Sequence, residues 1–233
     1  MCEVYGFCGR HETSLNKYTD VFWTHASVHK DGFGYFLADK NKLYVNPSSA
    51  TNFLNGLAKF NFKTKLALCH IRFMTHGKVS ADNCHPFVKY DVRGIQWALI
   101  HNGYISDNYL TESLSTIQVG QTDSERILLA LVESVNWLYE HTLLCDNNEM
   151  LQFLYATLEN VCIELSDLGK TNLVFTDNYT HNMYVFMNHR NTLFYLKSND
   201  GVHISTLPLS NEHWVAIEPN KLHIFNNGEL ISN

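Results

Sequence analysis

Thr122-Asp123-Ser124-Glu125-Arg126-Ile127-Leu128-Leu129-Ala130-Leu131 is the stretch on which the fold turns. A hydroxyl residue followed three positions later by glutamate is the capping-box signature of a helix N-terminus. Behind it, Ile127, Leu128, Leu131, Val135 and Leu138 recur at helical spacing. Such a helix has one apolar face that must be buried. A second helix is expected from about Glu149 to Leu168, with Gly169 as its left-handed stop. Outward from this helical centre, short apolar runs read as strands. Before it lie Gly34 to Ala38, Leu43 to Val45, Leu66 to Arg72 and Ile95 to Ile100. After it lie Leu173 to Thr176, Met183 to Met187, Leu193 to Leu196, His203 to Thr206, Trp214 to Ile217 and Leu222 to Phe225. Asn227-Gly228 predicts a tight hairpin turn. Strands, then helices, then strands make an α+β protein with mostly antiparallel sheets, not a βαβ wind. Two antiparallel sheets between helix layers would accommodate that order.

Composition narrows the function. The 233 residues are 45% hydrophobic and 17% charged, with only four prolines, so a sizeable core is expected. With no linker or internal repeat, residues 1–233 read as one domain. A formal net charge of -6, without a basic run, argues against nucleic acid as a partner. No apolar run reaches the length of a membrane span, and the start lacks a secretory signal, so the cytosol is the expected compartment. The six cysteines, Cys2, Cys8, Cys69, Cys84, Cys145 and Cys162, show no C-x-x-C spacing and read as reduced thiols, most of them small core residues. His70, His76 and His85 lack a recognisable ligand spacing, and no metal or cofactor is expected.

Several residues admit both a structural and a chemical reading. Cys2 either starts a strand or, once Met1 is removed, offers a thiol nucleophile beside a free α-amine. That amine titrates near neutrality, at roughly 7.7–8.0, where a general base works best. Arg72, ending an apolar strand, is either a surface ion-pair partner or a fork for a carboxylate. His101-Asn102-Gly103 follows a strand. Asn-Gly there is a hairpin turn, an oxyanion hole built from the Asn102 side-chain amide and the Gly103 N–H, or both. Asp123 is either a first-turn acid favoured by the helix dipole or an anchor for a substrate ammonium.

Taken in order, a second-position Cys, His29-Lys30-Asp31-Gly32-Phe33-Gly34, His70 to Gly77, Asn83-Cys84-His85-Pro86, His101-Asn102-Gly103 and Thr122 to Glu125 resemble the motifs of class II glutamine amidotransferases. The resemblance covers most of residues 2–126 and continues loosely through Phe175-Thr176-Asp177 and Ser205 to Leu209. It implies the N-terminal-nucleophile hydrolase fold, a four-layer αββα sandwich. It implies that Cys2 forms a γ-glutamyl thioester, that Asn102 and Gly103 form the oxyanion hole, that Arg72 grips the glutamine α-carboxylate with Thr75 and His76 beside it, and that Asp123 binds the α-ammonium. Two positions depart from the family pattern. Glu3 stands where glycine is common, and Phe73 where some synthases carry tryptophan. Neither a P-loop nor a Rossmann signature occurs, so the ammonia is expected to pass to an acceptor handled by a synthetase subunit in trans. Two alternatives stand beside this reading: a stand-alone hydrolase of another γ-glutamyl amide, and an inactive regulatory or structural subunit.

Overall fold

The computed structural model describes residues 2–48, 63–106, 112–142 and 146–232; Met1 and Cys145 fall outside them. The first strand, β1 (Glu3–Ser14), lies at the centre of a seven-stranded sheet. Its neighbours are β4 (Lys63–Ile71) and β12 (Gly201–Ser205), and beyond β4 come β2 (Phe33–Leu37) and β3 (Lys42–Asn46). Beyond β12 lie β11 (Phe194–Lys197) and β13 (Val215–Ala216). A six-stranded sheet runs β15 (Glu229–Ser232), β14 (His223–Asn226), β10 (Met183–Met187), β9 (Asn172–Asp177), β6 (Gln96–His101), β5 (Phe87–Tyr90). The short strands β7 (Tyr104–Ile105) and β8 (Gly169–Lys170) pair separately, and every described pair is antiparallel.

Strand alternation makes the layers. Val4 and Cys8 on β1 meet Ala98, Ile100, Val174 and Val185 of the other sheet, forming a core between the sheets. Tyr5 and Phe7 face the opposite way, onto Phe22 and Trp23 of helix α1 (Asn16–Thr24). Trp97, Leu99 and Phe175, on the far face of the six-stranded sheet, pack on Ile127, Leu128 and Leu131 of α2 (Asp123–His141) and Leu158 and Leu165 of α3 (Asn147–Ser166). The result is the expected αββα order, helix, sheet, sheet, helix.

Local details differ from the sequence reading. The expected capping box at Thr122 does not form. Thr122 is the N-cap residue, but its buried Oγ1 has no partner among the described residues. Glu125 instead accepts from the N–H groups of Val119 and Gly120, at 3.0 and 2.7 Å, and pairs with Lys89. A true capping box sits at Asp146 and Glu149, on α3. Gly169 is not a left-handed stop: it lies in β8, where a Cβ would fall 2.1 Å from the Tyr104 carbonyl oxygen. Asn227-Gly228 does form the β14–β15 turn, with φ of 48° and 76°.

Candidate active site

Cys2 precedes β1 and is half-buried. Strand β4 brings Ile71 opposite Glu3, so the chain leaving β4 passes beside Cys2. There Phe73 holds the thiol twice. Its N–H donates to Sγ and its carbonyl accepts from it, each at 3.3 Å. Burial pushes the Cys2 thiol up, and the Phe73 N–H and the Arg72 charge pull only partly against it. A thiol raised in this way stays protonated near neutrality, so its use as a nucleophile requires a base.

Arg72 is 3% exposed. Its guanidinium donates to the carbonyls of His76 (2.9 Å), Lys78 (3.0 Å) and Asp31 (3.5 Å). These bonds with described residues use three of five N–H donors. They fix the cation in place, buried but bonded to neutral carbonyls. Asp123 opens α2, at the positive end of the helix dipole, and accepts from the Ile105 N–H at 2.9 Å. Cys2, Arg72, Thr75, His76, Gly103 and Asp123 line one narrow cavity. At its mouth the exposed His76 ring stacks on Tyr104, with centroids 5.0 Å apart.

Asn102-Gly103 is not a turn between two paired strands. The Asn102 backbone continues the pairing of β6 with β9, exchanging bonds of 2.9 and 3.2 Å with Asn172. The chain then departs into β7, which pairs with β8. Gly103 is needed because a Cβ would sit 1.8 Å from the Lys170 carbonyl oxygen. The Asn102 side-chain amide donates to the Cys2 carbonyl at 2.5 Å, and its buried Oδ1 has no partner among the described residues.

The sequence reading missed several groups around Cys2. Phe73 contributes through its backbone, which no side-chain pattern reveals. His85, His101, Thr122 and Ser124 also line the cavity. His101 bonds Ser124 Oγ at 3.0 Å and the Lys170 carbonyl at 3.3 Å, and His70 bonds the His101 carbonyl at 3.2 Å. Burial lowers all three histidines, His70 to about 3, so they are neutral dipoles at pH 7. A second cavity, about 630 Å³ with its mouth, also reaches Cys2. It is lined by Glu3, Asn102, Lys170, Asn191, Thr206 and Leu207, among others. Lys170 comes from a distant segment and carries no local signal. Cys8, Cys69, Cys84 and Cys162 are buried, and burial raises each thiol, Cys84 to about 11. Among the described residues no group of three or more His, Cys, Asp or Glu could hold a metal ion, and no helix is long and apolar enough to cross a membrane.

Known proteins resemble this chain in sequence and in fold. The family model of class-II glutamine amidotransferases matches residues 1–199. A provisionally named glutamine amidotransferase of Haemophilus influenzae is 25% identical over 267 residues, covering 100% of this chain and 86% of that protein. A provisionally named glutamine amidotransferase of Escherichia coli K12 is 26% identical, covering 76% of this chain and 70% of its own. A solved Pseudomonas aeruginosa structure, of a protein predicted to be a glutamine amidotransferase, superposes with a TM-score of 0.71 at 20% identity, covering all of both chains. Glutamine phosphoribosylpyrophosphate amidotransferase from B. subtilis gives 0.65 at 21% identity, covering 100% of this chain and 49% of that one. The layers are those of N-terminal-nucleophile amidotransferase domains, and the chain belongs to the class-II glutamine amidotransferases, enzymes of glutamine amide hydrolysis and ammonia transfer.

Proposed function

We propose that Cys2 attacks the side-chain amide of glutamine and carries the γ-glutamyl group as a thioester. The supporting observation is that a thiol, a fixed cation and a fixed anion line one cavity: Cys2, Arg72 and Asp123. A zwitterionic amino acid needs one charge for its carboxylate and one for its ammonium, both away from the reacting amide. Arg72 takes the α-carboxylate, Asp123 takes the α-ammonium, and Thr75 and His76 close the mouth.

Removal of Met1 frees the Cys2 α-amine, which takes the thiol proton. The thiolate adds to the amide carbon. The oxyanion is held by the Gly103 N–H and by the Asn102 N–H not bonded to the Cys2 carbonyl. The C–N bond then breaks, and the nitrogen leaves as ammonia with the proton from the α-ammonium. Water, deprotonated by the same amine, cleaves the thioester to glutamate and restores the thiol. Preorganised neutral histidines behind the thiol suit this cycle, since a charged imidazole there would compete with Arg72 for the substrate carboxylate. In this reading the enzyme works in the cytosol, and a synthetase subunit in trans uses the ammonia. A glutaminase assay with a Cys2→Ala control tests the chemistry. Co-purification from the native source, followed by assay with and without bound protein, tests the partner.

The second cavity favours one further reading, hydrolysis of a larger γ-glutamyl amide. Its volume exceeds what ammonia requires, and its lining includes Cys2 and Asn102. Turnover of N-substituted γ-glutamyl amides in preference to glutamine would select that reading.

A further inference from the structure

Glu3 follows the nucleophile directly, and β1 turns its side chain to the face that carries Tyr5 and Phe7, toward the end of α1. Its carboxylate is nearly buried, 10% exposed, and each oxygen meets a different imidazole. Oε2 accepts from His25 Nδ1 at 2.6 Å, and His29 Nε2 lies 3.2 Å from Oε1, within ion-pair distance. A buried carboxylate requires such partners, and removing them is costly. Both histidines come from one compact turn, in which the N–H groups of Val28 and His29 donate to the His25 carbonyl.

This turn is also the bracket for the residues that hold the thiol. The His29 ring meets the Phe73 ring edge-on, centroids 5.7 Å apart. The Asp31 carboxylate accepts from the Met74 N–H at 2.7 Å. The Asp31 N–H donates to the Arg72 carbonyl at 3.3 Å, and the Arg72 N–H to the Gly32 carbonyl at 2.8 Å. Residues 72–74 are therefore set by residues 29–32, and Phe73 bonds the Cys2 thiol through both its N–H and its carbonyl. The contacts form a closed circuit of Cys2, Glu3, His29 and Phe73.

We propose that Glu3 is a positioning residue: by holding His25 and His29 together it seats Phe73 on the Cys2 thiol and so sets the reactivity of the nucleophile. A glycine at this position has no side chain to do so, and the turn would rest on other contacts. The Phe73 N–H favours the thiolate, so loosening it should leave less thiolate available. The proposal rests on Cys2 being the nucleophile, but its direct readout does not require that glutamine be the substrate.

The test compares Glu3→Gln, His29→Gln and the double variant with the wild-type protein, all with Met1 removed. Two quantities are followed: the rate at which iodoacetamide alkylates Cys2, located by peptide mass, and kcat and KM for glutamine. Glu3→Gln should slow alkylation and lower kcat by about tenfold, less than the hundredfold that an ångström of misplacement can cost, with KM unchanged. His29→Gln should do the same, and the double variant should be no worse than either single one, because both changes break one circuit. Should Glu3→Gln fail to fold, His29→Gln carries the test alone, since it leaves the Glu3–His25 pair in place. Alkylation that is unchanged or faster in the folded variants, or losses that multiply in the double variant, overturns the proposal. A wild-type protein inert toward glutamine yet showing this alkylation pattern would overturn the glutaminase reading and leave Glu3 in its role.

Discussion

The Phe73 peptide bonds the Cys2 thiol from both ends, N–H to Sγ and Sγ–H to carbonyl, each at 3.3 Å. The thiol is thus held in one place while burial keeps it protonated. In the proposed mechanism, activation falls to a group near the sulfur and close to neutrality in pKa, the α-amine of the same residue.

That requirement predicts the mature N-terminus. Intact mass should show the loss of one methionine, and a protein carrying an uncleavable N-terminal tag should be soluble but inactive. Full activity with the tag in place would mean that a different base is used.

Substrate charge recognition should separate from folding. Arg72→Lys cannot reproduce the fork that now spans the carbonyls of His76 and Lys78, and Asp123→Asn removes the anion. Losing one partner of a desolvated charge contact costs about 2–5 kcal/mol, so KM for glutamine should rise more than tenfold. Thermal melts would check that folding survives. An unchanged KM in both variants would remove these residues from the binding site.

The oxyanion assignment makes a different demand. Asn102→Ala should lower kcat by about two orders of magnitude, with KM little affected. Gly103→Ala should instead destabilise the fold, because its Cβ would collide with the Lys170 carbonyl. If Asn102→Ala turns over at the wild-type rate, Asn102 serves only to bond the Cys2 carbonyl.

Stability should fall early on the acid side. His70, His85, His101 and His203 are buried and their pKa values lowered, His70 and His203 to about 3. The unfolded chain binds protons at these residues from about pH 6.5 downward. The folded chain does not, so their contribution is complete above that pH and is lost progressively down to the folded values. Each proton taken up on unfolding contributes a slope of about 1.4 kcal/mol per pH unit. Urea unfolding at about pH 7 and about pH 5.5 would measure it, and equal stabilities at the two values would count against the buried neutral state.

How much of this was legible in the sequence depends on whether the cause is local. The α2 face of Ile127, Leu128 and Leu131 follows from helical spacing, and so does the layer it covers. Beyond the strand start at Cys2, the extent of the 12-residue β1 and the helix α1 are not legible in the sequence. In β1, Glu3, Gly6, Gly9 and Arg10 interrupt the apolar alternation, because Glu3 is matched by histidines of a later turn rather than by water. Thr122 reads as a capping residue, but Glu125 wins the backbone N–H groups ahead of the helix because Lys89 holds its carboxylate. Among the residues that the motifs single out, Cys2, Arg72, Thr75, His76, Gly103 and Asp123 line one cavity, and Asn102 bonds the Cys2 carbonyl beside it. Asn102-Gly103 looks like a turn because the strand that forbids a side chain at Gly103, β8, is more than sixty residues further along.

The most direct test of the central claim is acid-quenched mass spectrometry of the enzyme during glutamine turnover, with the peptide bearing Cys2 isolated. The account predicts a peptide heavier by one glutamyl acyl group, released by hydroxylamine as a thioester is, and absent in Cys2→Ala. Glutamine turnover without any acyl group on Cys2, or an acyl group on another residue, would contradict it.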